Sequence, residues 1–62
     1  MRKIWGSKRY RVQARRKDPE ERWSEWANVN DYNEAVKQYR LAERFGYIAR
    51  IYDNETGRIS WL

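Results

Sequence analysis

A chain of 62 residues with no cysteine and no histidine leaves room for one domain, and it excludes disulfides and a zinc site of the usual Cys/His kind. Net charge is +5 but unevenly spread: residues 1 to 17 hold eight Lys/Arg and no acid, whereas residues 18 to 62 set six Lys/Arg against nine Asp/Glu, a net −3. Such asymmetry points to a polyanionic partner, and the lack of any apolar run long enough for a membrane span or signal-peptide core predicts a soluble, cytoplasmic chain with no membrane partner.

Met1 to Ser7 shows no period and reads as a loose basic arm, with Ile4 and Trp5 as its anchors. From Arg9 the chain alternates, with Tyr10, Val12 and Ala14 on one side and Arg9, Arg11, Gln13 and Arg15 on the other, the pattern of a half-buried strand with a basic outer face. Asp18, Pro19, Glu20 and Glu21 break it. A second extended run covers Arg22 to Asn30. There Trp23, Ala27 and Val29 are in phase and Trp26 is not, so either Trp26 points outward or a bulge resets the register; a partly exposed Trp26 is expected.

Asp31 to Gly46 carries a full set of helix instructions. Asp31 and Glu34 have capping-box spacing, Gly46 is a left-handed stop, and Tyr32, Ala35, Val36, Tyr39 and Ala42 form one apolar stripe. Tyr47 to Tyr52 reads as a third strand with large apolar groups on both faces. Asp53 to Gly57 reads as a tight turn, and Arg58 to Leu62 as a short last strand. The predicted fold is α+β: a small antiparallel sheet of three to four strands in the order β-β-α-β-β, with one helix packed across one face. Ten aromatic residues supplement a meagre aliphatic core, with Tyr10, Trp23, Tyr32 and Tyr39 assigned to it.

Candidate chemistry is narrow. Without His or Cys, no carboxylate, Lys, Ser, Thr or Tyr sits in a motif that activates it, and Asp53-Asn54-Glu55 lacks calcium-loop spacing, so neither an enzyme nor a cofactor or metal is expected. The sharpest signal is the basic face of the first strand, formed by Lys8, Arg9, Arg11, Gln13, Arg15, Arg16 and Lys17, with Trp26 as an aromatic neighbour. Arg presents a planar fork to phosphate oxygens, and neutralising phosphates releases counterions. The competing reading is that Glu25 and Glu21 lie opposite Arg11 and Arg15 as cross-strand pairs. Leu41 and Phe45, one turn apart and away from the apolar stripe, together with Tyr52 and Trp61, suit a protein interface, including a homodimer.

The run Trp26-Ala27-Asn28-Val29 leading into Asp31-Tyr32-Asn33-Glu34-Ala35 resembles the sheet-to-helix junction of plant AP2-type DNA-binding domains and of integrase arm-binding domains. That resemblance implies a sheet entering the major groove, read by Arg9, Arg11, Arg15 and Trp26. The small helix-plus-sheet layout also resembles short bacteriophage-encoded accessory proteins, many of which bind and disable a host complex. The leading expectation is a binding module that engages nucleic acid or a nucleoprotein complex. The alternative is a small inhibitor of a host protein complex, acting as a homodimer.

Overall fold

The alternation over the first strand and the instructions around the helix are realised in a computed structural model that describes residues 8–18 and 20–62. The Met1 to Ser7 arm and Pro19 lie outside the described residues. The elements are β1 (Tyr10–Arg15), β2 (Ser24–Val29), α1 (Tyr32–Arg44), β3 (Ile48–Asp53) and β4 (Ile59–Ser60). The strands pair antiparallel in one sheet of order β2-β1-β3-β4, and α1 lies across β1, β2 and β3. This is the expected α+β architecture.

β1 is central, so its alternation sets both faces of the sheet. Val12 is flanked by Ala27 and Ile51, and Ala14 by Ser24 and Ala49. Ala35, Tyr39 and Ala42 of α1 close over Val12, Ala14, Ala49 and Ile51 to form the buried core. Alanines on both sides let the helix approach the sheet closely, and Tyr39 supplies the bulk. Its hydroxyl accepts the Leu62 N–H at 3.0 Å and donates to the Leu62 carbonyl at 3.2 Å, which fastens the chain after β4 to the helix.

The helix ends follow their local chemistry. Asp31 accepts the Glu34 N–H at 3.3 Å, as an N-cap should. Glu34 departs from the capping box, however: its side chain pairs with Lys37 at 3.4 Å, an alternative one turn along. At the other end Gly46 has φ +93°, its N–H donates to the Glu43 carbonyl, and the Tyr47 N–H donates to that of Ala42. This is the paired closure of a Schellman stop, which turns the chain back into β3.

Two core assignments are corrected, and the more informative one traces to a single extra residue. Between Val12 and Gln13 the pairing with β2 shifts, Val12 facing Ala27 and Gln13 facing Glu25, so that Trp26 is the bulged residue. Trp26 therefore turns to the helix side, where its indole N–H donates to Gln38 Oε1 at 3.2 Å and its ring meets those of Phe45 and Tyr47 edge-on. Before the bulge the phase is inverted. Ser24 falls on the helix side opposite Ala14, whose carbonyl accepts its hydroxyl, while Trp23 lies against Arg15, Arg50 and Trp61 on the outer face instead of in the core. Tyr32 is the second correction: it sits at the first helical position, 40% exposed, and its ring meets that of Tyr10 in a T-shaped contact at the rim of the core.

Candidate polyanion-binding face

With α1 on one side, the opposite side of the sheet has no helix over it among the described residues. Strand alternation places Arg11, Gln13 and Arg15 of β1 on this outer side, beside Ile48, Arg50 and Tyr52 of β3. Trp23 and Trp61 complete it from the strand ends, their rings 5.8 Å apart and T-shaped.

The arginines there divide into two groups. Arg9 is held at the β3–β4 turn: Nε and Nη2 donate to the two Asp53 oxygens at 3.2 and 3.1 Å, and Nη1 lies 3.4 Å from Glu55. The hydrogen bond from Arg9 holds the Asp53 carboxyl below its ordinary range, helped by the Glu55 N–H, and the same bond raises Arg9. Arg11 forms a bidentate pair with Glu25, at 2.9 and 3.1 Å, which raises its pKa, and it stands over the Tyr52 ring. The cross-strand acid expected for Arg11 is thus Glu25. Glu21 makes no ion pair with Arg15 among the described residues.

Arg15 and Arg50 are the second group. Arg15 Nη1 donates to the carbonyls of Arg16 and Asp18 at 3.1 and 3.2 Å, and its guanidinium carbon stands 5.2 Å from the Trp23 ring centre. Arg50 Nε donates to Gln13 Oε1 at 2.7 Å, and its guanidinium lies 4.1 Å from the centre of that same ring. No acid pairs with either among the described residues. Burial first, and then the like charges of Arg11 and Arg15, push the Arg50 guanidinium below its ordinary value. Two cations are therefore oriented by an indole and by carbonyl oxygens with their charge uncompensated, an arrangement suited to an anion with several oxygens.

The expected site residues do not gather in one place. Arg9 and Arg15 are six positions apart on an extended chain, about 20 Å, so they serve opposite ends. Lys8 is exposed near Arg9, while Arg16 and Lys17 are exposed beside Arg15. Gln13 sits between the two ends and orients Arg50. Trp26 is on the helix side, where it shares a cavity lining with Arg15 and Arg16. Arg50 was missed because it lies outside the N-terminal basic run; its phase with Ile48 and Tyr52 in β3 was the available signal.

The proposed protein-interface residues also split. Tyr52 and Trp61 belong to the outer face, Trp61 being 58% exposed, whereas Leu41 (38%) lies on α1 and Phe45 (65%) caps its end against Trp26. Where β1 meets the following turn, a cavity of about 240 Å³ is lined by Ala14, Arg15, Arg16, Glu21, Ser24, Trp26 and Tyr47. Among the described residues, no group of His, Cys, Asp or Glu is disposed to hold a metal ion, and no helix is long and apolar enough to cross a membrane. Compared with protein-family models, with curated proteins and with solved structures, the chain finds no match.

Proposed function

We propose that this chain is a non-enzymatic binding module whose outer sheet face engages a polyanion, either nucleic acid or a nucleoprotein complex. The observation that carries the reading is the Arg15–Trp23–Arg50 cluster: two oriented guanidinium groups on one indole, with no acid paired to either among the described residues. Arg16 and Lys17 extend the positive charge along the same end of β1. Arg9 and Arg11 contribute less than their position in the basic run suggests, because Asp53 and Glu25 already share their charge.

The test is fluorescence anisotropy with labelled oligonucleotides at 50 and 200 mM salt. Neutralising about three phosphates costs on the order of 20- to 40-fold in affinity over that interval. Arg15→Glu with Arg50→Glu should abolish the binding and leave the circular dichroism spectrum unchanged. Absence of binding at low salt removes the reading.

A second reading, a small inhibitor that docks on a host protein, draws on the opposite side of the molecule. Phe45 is 65% exposed and lies edge-on to Trp26, with Leu41 one turn before it. Phe45→Asp should then abolish partner capture or self-association while the double Arg variant leaves it intact. Size-exclusion chromatography with light scattering reads the self-association directly.

A further inference from the structure

We infer that the polyanion taken by the outer face is a single-stranded nucleic acid, with bases stacked on Trp61 and Tyr52 and phosphates held at Arg15 and Arg50. The inference rests on the polyanion reading above and specifies its ligand. The backbone positions of these two aromatics suit it. Tyr52 lies opposite Ile59, and Trp61 stands two residues beyond Ile59 on the same side. With a strand spacing of about 4.8 Å and a rise of about 3.4 Å per residue, their backbones are separated by about 8 Å. Neighbouring bases in a duplex strand are stacked only about 3.4 Å apart. Rings carried on backbones this far apart suit bases that are splayed, which a single strand allows and a paired helix does not.

The shape of the face agrees. At Ile51 and Tyr52, where four strands stand side by side, the outer backbones are about 14 Å apart, more than the roughly 12 Å width of the major groove. A sheet this wide, with its aromatic rings lying over it, suits a strand laid across it better than insertion into a groove. Trp61 is 58% exposed, and its T-shaped contact with Trp23 orients the ring beside the indole on which Arg50 lies. A base on Trp61 thus brings its phosphate toward the two guanidinium groups that no described acid neutralises.

The experiment compares a labelled single-stranded octamer, the duplex of the same sequence and an abasic octamer, each with the wild-type chain, with Trp61→Ala and with Trp61→Phe. The expected result is preference for the single strand over the duplex by tenfold or more. Trp61→Ala should lose roughly 5- to 150-fold, the range for one stacked base, the abasic strand should lose more because both stacked bases are gone, and Trp61→Phe should restore most of the Trp61→Ala loss. The salt dependence should be the same for Trp61→Ala as for wild type, since no charge is removed. Thermal melts of the free variants check the fold, and Trp61→Phe keeps the test informative if Trp61→Ala is destabilised. Equal or stronger duplex binding, or a single-strand preference that survives both Trp61→Ala and removal of the bases, overturns the inference while leaving the polyanion reading intact. No binding of any of the three at 50 mM salt overturns both.

Discussion

The two faces of this sheet are made by alternate residues of the same strands, yet they are held by different physics. Beneath α1, Val12, Ala14, Ala49 and Ile51 pack with Ala35, Tyr39 and Ala42, and no polar or charged residue is buried among those described. One residue over in each strand, Arg11, Gln13, Arg15, Arg50 and Tyr52 form one bidentate ion pair, a guanidinium–amide bond and cation–π contacts. The covered face is set by volume and the open face by charge. Substitutions one position apart should therefore separate folding from binding, and the largest expected effect tests that separation.

Ile51→Ala on the covered side should cost about 2 to 5 kcal/mol, close to the whole stability that a core of this size supplies, and urea denaturation should show a largely unfolded chain. Tyr52→Ala, the next residue, should cost about 1 kcal/mol or less because its ring is only part-buried, while weakening ligand binding. If the two variants unfold alike, the division into a packing face and a binding face is wrong. Glu25→Gln sharpens the comparison from the charge side. It removes the acid held by Arg11 and adds one net positive charge to the open face, so affinity for an oligonucleotide should rise a few-fold at low salt and the salt slope should steepen by about 0.7 to 0.9. The accompanying loss of stability should be about 1 kcal/mol or less, as for other partly exposed pairs.

The smallest effect concerns the turn that closes β3 onto β4. Because Arg9 and the Glu55 N–H hold the folded Asp53 carboxyl below its ordinary value of 3.8, the unfolded chain takes up that proton first as pH falls. The stabilisation is complete above the ordinary carboxylate range and is lost as pH drops through the depressed value. Thermal midpoints followed through the acid range should decline there, and Asp53→Asn should flatten that decline.

The order of elements was legible because each boundary carries its own local signal: alternation in β1, the Asp31 cap, and glycines at positive φ in Gly46 and Gly57. What escaped was the exchange of two indoles. Trp23 and Trp26 are three residues apart, and the bulge at Trp26 reverses which reaches the helix. The broken alternation at Trp26 offered a bulge as one of two readings, but the choice between them, and the bulge's place opposite Val12 and Gln13, are set by the pairing itself. The candidate site was legible to the same degree. Arg11 and Arg15 could be placed on one face from spacing alone, but which arginine keeps its charge depends on pairs 14 and 44 residues apart, Arg11 with Glu25 and Arg9 with Asp53. Arg50 enters the cluster through the β1–β3 register, a contact no short stretch of sequence encodes.

The two ends of the sheet have a further consequence for how the protein behaves in concentrated solution. An open sheet rich in tryptophan invites strand-by-strand growth into fibres, since each edge offers unpaired backbone groups to another chain. Here one edge is β4, only two residues long, and the other is β2, interrupted by the bulged Trp26. Neither edge presents a long regular ladder, so the architecture that leaves the outer face open also denies it a template for aggregation.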